Sequence, residues 1–224
     1  MLSEDILYSS VVELGRGLLS KKFTPVDLAE AYLDRLSRLG PKLNAVVTMT
    51  ADLALEQARQ ATKEIARGRA RGRLHGVPYG AKDLLATKGI KTTWGSRAYA
   101  TQVPAEDATV IRRLRLAGAV LVAKLAMVEL AGGAGYRNPS ASLTGPGLNP
   151  WNTGRWAGGS SSGSGAAVAA GLVGFSIGSE TWGSIVTPAG FCGISGLRPT
   201  YGRVSRHGAM ALSWTMDKLG PMAR

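Results

Sequence analysis

The stretch GGSSSGSGAAVAAGLVGFSIGSETWGS, residues 158–184, joins a glycine-serine run, an apolar segment and a second glycine turn. We predict a helix over 164–173, because this short apolar segment opens directly after Gly and Ser. A buried strand follows over 174–177, and 183–191 begins another helix that Pro188 interrupts. A flexible linker would not normally precede an apolar helix so closely. The run therefore predicts a backbone nest with free N–H groups.

Helix and strand alternate upstream of this stretch as well. We predict a helix over 107–117, with Asp107 as its N-cap. The segment AVLVAK, 119–124, is typical of a buried strand, and GVPYGAKD, 76–83, is a short apolar run that carries one lysine. This alternation predicts an α/β fold whose sheet is covered on both faces.

The first 70 residues have a different texture, with amphipathic periodicity and polar faces. Thr24 followed by Pro25 is typical of a helix start. We predict three helices and one short strand here, at 3–20, 24–38, 50–67 and 44–48 respectively. One domain, 1–224, is therefore expected to consist of an N-terminal helical layer, 1–70, and a sheet core, 71–224. Residues 132–163 carry few regular signals, and so long a stretch in a compact domain is usually functional.

Composition narrows the function classes. The chain has 224 residues, 45% of them hydrophobic, and a single cysteine, Cys192. One cysteine excludes an internal disulfide framework and fits a reducing compartment. No apolar run reaches the roughly 18 residues that a membrane span requires, and the acidic N-terminus MLSEDILYSS does not resemble a secretory signal. We therefore expect a cytoplasmic protein with no membrane contact.

The net charge of +12 raises the question of a nucleic-acid partner. The basic residues are poorly clustered, and the densest run, RGRARGR at 67–73, is typical of a solvated helix end and loop. We therefore predict no nucleic-acid partner. No metal-ligand spacing or phosphate-loop pattern is present, so neither a metal nor another cofactor is expected.

Three motifs in one order carry a more specific signal: the lysine of GVPYGAKD, the segment NPWNTGRWAGGSSSGSGAAVAAGL at 149–172, and GSETWGSIVTPAGFCGISGLRPTYGRVSRHG at 178–208. Together they resemble the amidase signature family, and the likeness extends from about residue 20 to the last residue. The step of 24 residues from Ser160 to Ser184 matches that family's spacing between its two catalytic serines. The resemblance implies a mixed sheet flanked by helices, of which this chain carries roughly the N-terminal half.

The resemblance also implies a Ser-Ser-Lys triad that cleaves a carboxamide bond through a serine acyl-enzyme. Ser184 is the implied nucleophile, Lys82 the base, and Ser160, after a cis Gly159–Ser160 bond, the proton relay between them. Backbone N–H groups in the turn that enters the next helix are the implied oxyanion donors, at Thr181, Trp182 and Gly183.

Elementary chemistry agrees with such a triad. Amide cleavage needs an activated nucleophile and a proton for the leaving nitrogen, and a neutral lysine acting through a hydroxyl can supply both. Burial is what keeps a lysine neutral. His75 and His207 sit in no recognisable triad pattern and are interpreted as structural. A thiol dyad of Cys192 with either histidine is conceivable, although the Phe-Cys-Gly context favours helix packing.

The sequence departs from the family pattern Asp-Thr-Gly-Gly-Ser-Ile-Arg at three positions, where it has Glu180, Trp182 and Val186. Glu180 keeps the acid, and Trp182 keeps its N–H if its φ suits a residue with a Cβ. Its indole could also form a wall of the acyl pocket. Val186 cannot pair with Glu180, which is expected to lack its usual cation.

Family members are about twice this length, so the chain is interpreted as a fragment. Its expected substrate is a small-molecule amide, with a homodimer as a possible assembly. The alternative is the glutaminase-type subunit of glutamyl-tRNA amidotransferase, which would act with other amidotransferase subunits. An inactive or noncatalytic member of the family is the remaining interpretation.

Overall fold

Helices and strands alternate along the chain in the computed structural model, which describes residues 2–132 and 138–224. The helices are α1 Glu4–Leu7, α2 Val11–Leu19, α3 Pro25–Leu39, α4 Ala51–Ala66, α5 Thr109–Leu116, α6 Ser162–Ala169 and α7 Val186–Cys192. The strands are β1 Val46–Met49, β2 Pro78–Lys82, β3 Val120–Leu125, β4 Leu148–Asn149, β5 Asn152–Trp156, β6 Phe175–Glu180, β7 Ser195–Gly196 and β8 Lys218–Ala223.

Six of these strands form one mixed sheet in the order β1-β3-β2-β6-β8-β7. Its centre is parallel, because β2 pairs parallel with both β3 and β6. The flanking strands β1 and β8 pair antiparallel with β3 and β6, and β7 pairs antiparallel with β8. The predicted α/β fold is confirmed.

The central strands β2, β3 and β6 are buried along their whole length, as expected for strands covered on both sides. Their side chains divide between two apolar clusters. Tyr79, Leu121 and Phe175 pack with side chains of α2 and α5, while Val120 and Val122 pack with those of α4 and α6. Each cluster removes one face of the sheet from water, which is the main stabilising term for such a fold.

Two predicted helix boundaries are wrong for local reasons. The helix expected over 3–20 is two helices, because Ser10 and Glu13 form a capping box that starts α2 anew. Asp107 is not an N-cap. The helix α5 begins at Thr109, and Asp107 instead accepts a hydrogen bond from the Lys88 N–H and pairs with Arg115.

The stretch 132–163 also contains more regular structure than predicted. Strands β4 and β5 form an antiparallel hairpin inside it, and α6 begins at Ser162, before the predicted start. Residues 133–137 of this stretch lie outside the described part.

Among the described helices, none has the length and apolar composition needed to cross a membrane.

Candidate active site

Lys82 is the last residue of β2, and its side chain is completely buried. Its Nζ lies 2.7 Å from Ser160 Oγ and 2.9 Å from Ser179 Oγ. A third, longer contact of 3.5 Å reaches the Ser179 carbonyl oxygen. The amine is thus held between two hydroxyl groups.

Burial lowers the pKa of Lys82 from its ordinary 10.5 to about 7, because an ammonium ion loses its hydration there. The negative charges of Asp217 and Glu180 act in the opposite direction and only partly offset this effect. A neutral amine is therefore accessible near neutral pH, as a base requires.

Ser160 is presented by the glycine-serine run that precedes α6. The predicted cis bond between Gly159 and Ser160 is confirmed. The Ser160 carbonyl accepts a hydrogen bond from the Val128 N–H, and Ser161 Oγ donates to the Ser179 carbonyl. Since residues 160–164 are all buried, this run is part of the core and not a linker.

Ser184 follows the glycine turn between β6 and α7 and is buried. Its carbonyl accepts a hydrogen bond of 3.3 Å from the N–H of Ser161, the chain neighbour of Ser160. Within residues 2–132 and 138–224, no hydrogen bond joins the Ser184 hydroxyl to Ser160. The structure therefore brings Lys82 and Ser160 into direct contact, and it places Ser184 beside them through the backbone.

The turn before Ser184 carries backbone donors that no acceptor in the described structure engages. In the described parts of the chain, the backbone N–H groups of Trp182, Gly183 and Ser184 donate no hydrogen bond. Gly183 has φ 115°, which favours glycine, whereas Trp182 keeps a negative φ that suits a residue with a Cβ. The Trp182 side chain is 84% exposed. Donors thus remain available at this turn despite the tryptophan.

Thr181 is anchored by Asp217 and Lys218, at the start of β8. Its Oγ1 donates a hydrogen bond of 2.5 Å to Asp217 Oδ1, and its carbonyl accepts one from Lys218 Nζ at 3.1 Å. Asp217 Oδ2 also accepts the N–H groups of Leu212 and Ser213. These contacts fix the start of the turn relative to β8.

The expectation that Glu180 lacks a cation is wrong. Its Oε1 lies 3.2 Å from Arg198 Nη1, and its Oε2 accepts the N–H groups of Ile185 and Val186 at 2.8 and 2.9 Å. The guanidinium comes from the loop after β7, 18 residues along the chain. Valine at 186 is therefore compatible with a paired acid, because the cation is supplied from another position.

Sequence reasoning missed Ser179, Arg198 and Asp217 as members of this site. Ser179 could have been found from the sequence, because it lies inside the quoted motif at 178–208 and on the strand that pairs with β2. Arg198 and Asp217 carry no local signal, because only the pairing of β8 with β6 and of β7 with β8 brings them close.

The other candidate nucleophiles and bases make no contact with Lys82 or Ser160 in the described structure, although His207 lines the cavity beside Ser179. His75 Nδ1 accepts the Arg71 N–H and its Nε2 lies 3.1 Å from Glu64, while the His207 carbonyl accepts the Thr109 N–H. Burial raises the pKa of Cys192 to about 12. Among the described residues, no group of three or more His, Cys, Asp or Glu side chains could hold a metal ion.

A cavity of about 230 Å³ adjoins the centre. Ser179, Thr181 and Asp217 form its polar wall, and Leu84 and Met210 contribute to its apolar wall. Its position next to Ser179, the partner of Lys82, and to the turn before Ser184 makes it a candidate binding pocket.

Comparisons with known proteins relate nearly the whole chain to one family. The sequence model of the Amidase family matches residues 27–224. The chain is 48% identical over 215 residues to a glutamyl-tRNA(Gln) amidotransferase subunit of Methylococcus capsulatus, covering 96% of this chain and 44% of that protein. It is 47% identical over 212 residues to the corresponding subunit of Anaeromyxobacter sp. strain K, covering 95% and 42%.

Among solved structures, the peptide amidase from Stenotrophomonas maltophilia superposes with a TM-score of 0.91 and 39% sequence identity. That match covers 96% of this chain and 45% of the peptide amidase. The chain thus spans less than half the length of these relatives.

Proposed function

Because this chain belongs to the amidase signature family, we propose that it carries the catalytic centre of an amide hydrolase, with Ser184 as nucleophile, Ser160 as relay and Lys82 as base. The observation that carries the proposal is the burial of the Lys82 amine between the hydroxyl groups of Ser160 and Ser179. Such a position lowers the pKa of the amine, and once the amine is neutral its lone pair can accept the Ser160 proton.

The proposed reaction begins with two proton transfers. The neutral Lys82 amine accepts the proton of Ser160, and Ser160 accepts the proton of Ser184. The Ser184 oxygen forms a bond to the carbonyl carbon, and the C–N bond then breaks as a proton returns through Ser160 to the leaving nitrogen. Water, deprotonated by the same relay, attacks the acyl-enzyme and releases the acid. Catalytic contacts of this kind are often long without substrate and tighten when a substrate binds, so the relay does not require a Ser184–Ser160 hydrogen bond in the free chain.

The developing oxyanion would be bound by backbone N–H groups of Thr181, Trp182 and Gly183. The unengaged donors at 182 and 183, on a turn anchored through Thr181 and Glu180, support this assignment. One such donor is typically worth about 3–4 kcal/mol of transition-state stabilisation.

A small carboxamide is the proposed substrate class, which the 230 Å³ cavity beside Ser179 and Thr181 could accommodate. The second candidate function is that of the glutaminase-type subunit of glutamyl-tRNA amidotransferase, acting with other subunits. The 48% identity to a subunit of an enzyme of that name favours it. Both functions would use the same centre and the same acyl-enzyme chemistry.

A fluorophosphonate probe tests the centre, because its phosphorus is trapped by an activated serine. We expect the parent chain to be labelled, Ser184→Ala to resist labelling, and Ser160→Ala and Lys82→Met to react about a hundredfold or more slowly. Ser164→Ala is the matched control, since that buried hydroxyl makes no hydrogen bond in the described structure. Labelling that persists in Ser184→Ala, or a folded parent that is not labelled, would refute the proposal.

Ammonia release distinguishes the two candidate functions. The chain is offered glutamine or a simple carboxamide such as benzamide, and ammonia is measured with Ser184→Ala as the blank. Release from benzamide supports the hydrolase, whereas release from glutamine alone supports the amidotransferase function.

A further inference from the structure

A second buried lysine, Lys124, lies on β3 next to the strand that carries Lys82. Its amine is completely buried and has three partners: the Leu85 carbonyl at 2.8 Å, Thr92 Oγ1 at 2.7 Å and the Asp83 carboxylate at 3.4 Å. All three belong to the segment that leaves β2. The amine donates hydrogen bonds to Leu85 and Thr92, and its contact with Asp83 is an ion contact.

Asp83 is also completely buried and binds the same segment from the other side. Its Oδ2 accepts both the N–H and the hydroxyl of Thr93, at 2.9 and 2.5 Å. Its backbone N–H donates to the Leu125 carbonyl, and its carbonyl accepts the Trp94 N–H. The chain from 83 to 94 is therefore wrapped around the Lys124–Asp83 pair.

We propose that Lys124 and Asp83 are positioning residues that fix the end of β2 and thereby hold the Lys82 amine against Ser160. The proposal rests on the role of Lys82 proposed above. Asp83 follows Lys82 directly, so any shift of Asp83 moves the backbone from which the catalytic side chain extends.

Burying a charge pair is costly, and apolar side chains of similar volume often serve stability as well or better. The pair instead fixes the position of the strand end, because its hydrogen bonds and its ion contact join three stretches of chain, 83–85, 92–94 and 124–125. Burial itself acts on the two groups in opposite senses. It raises the pKa of Asp83 and lowers that of Lys124 to about 8, while their mutual attraction opposes both changes.

The test measures the pKa of Lys82 directly, by a pH titration of the whole chain with ¹³C-labelled lysine that is monitored by NMR. The Lys82 signal is assigned by its loss in Lys82→Met. The double variant Asp83→Asn/Lys124→Met removes both charges at nearly constant volume. We expect the pKa of Lys82 to rise by about 1 unit or more in it, because a loosened strand end admits water to the amine. Arg35→Met is the matched control, since Arg35 is another buried cation, paired with Glu4 at 2.8 Å in the helical layer. It should leave the Lys82 titration unchanged.

A folded double variant with the parental Lys82 pKa would overturn the proposal. So would an equal shift in Arg35→Met, because general loosening would then explain the result. If the double variant does not fold, Thr92→Val takes its place, since it keeps both charges and removes one ammonium partner. An unchanged Lys82 titration in Thr92→Val would count equally against the proposal. The titration needs no substrate, so a failure of the proposed hydrolysis would be seen separately, in the probe experiment.

Discussion

The Lys82 amine and the Ser160 hydroxyl are 2.7 Å apart in the folded chain, although 78 residues separate them in the sequence. The contact depends on two tertiary features. Strand β2 must pair with β3 and β6, which buries its end, and the glycine-serine run must fold back as the start of α6. Since water is excluded from both groups, a proton can move between them without competition from solvent.

Lys82 should make stability depend on pH in a definite direction. Its pKa in the folded chain is about 7 and its ordinary value is 10.5, so between these limits the unfolded chain binds more protons than the folded chain. Stability from this group therefore rises with pH across that window, by up to about 1.4 kcal/mol per pH unit. Urea unfolding at several pH values, for the parent and Lys82→Met, measures the effect.

The parent should gain stability relative to Lys82→Met from pH 7 upward, and the difference should be flat below pH 6. Lys124 titrates in both proteins and cancels in the comparison. A difference independent of pH would mean that Lys82 keeps its ordinary pKa, and the proposed base would lose its physical basis.

The fold class and the three site motifs could be predicted from sequence because they are local signals. Buried strands, the glycine-serine run and the order of Lys82, Ser160 and Ser184 are all visible along the chain. The partners of these residues are not, because they depend on which strands pair and in which register. Arg198 reaches Glu180 only because β8 pairs with β6 and β7 pairs with β8, and the break at Ser10 depends on capping geometry that apolar periodicity does not show.

The Glu180 carboxylate should matter more to stability than its cation partner. Glu180 is completely buried and accepts two N–H groups at the start of α7, whereas the Arg198 side chain is 53% exposed. We expect Glu180→Ala to cost about 1–3 kcal/mol because a buried N–H at Ile185 and a part-buried one at Val186 lose their acceptor. Arg198→Gln should cost about 1 kcal/mol or less, since solvent screens the pair.

Urea unfolding of both variants checks this order. Arg203→Gln serves as the control, because that side chain is exposed. If Arg198→Gln proved the more damaging change, the ion pair and not the backbone contacts would be what holds the turn before Ser184.

Trp182 should contribute little to the stability of this chain. Its side chain is 84% exposed, and φ at this position is negative, so alanine fits the same backbone. We expect Trp182→Ala to change the free energy of unfolding by no more than about 0.5 kcal/mol, as is usual for exposed positions. A loss of several kcal/mol would show that the indole packs against the protein.

The same variant tests whether the indole contributes to binding. Fluorophosphonates with an aryl or a methyl substituent are compared in the parent and in Trp182→Ala. A selective loss with the aryl probe would assign the indole to the acyl pocket, whereas equal rates would leave Trp182 with only its backbone N–H at the site.

Cys192 should behave as a core residue and not as a nucleophile. Its side chain is completely buried, its Sγ lies 3.5 Å from the Ala157 carbonyl, and burial raises the pKa of the thiol to about 12. The thiolate is the reactive form, so iodoacetamide at pH 8 should modify the unfolded chain but not the folded one. Cys192→Ala should keep fluorophosphonate labelling at Ser184, with mass spectrometry locating the adduct. Rapid alkylation of the folded chain together with loss of labelling would instead support a thiol-based centre, because a buried, protonated thiol cannot produce that pair of results.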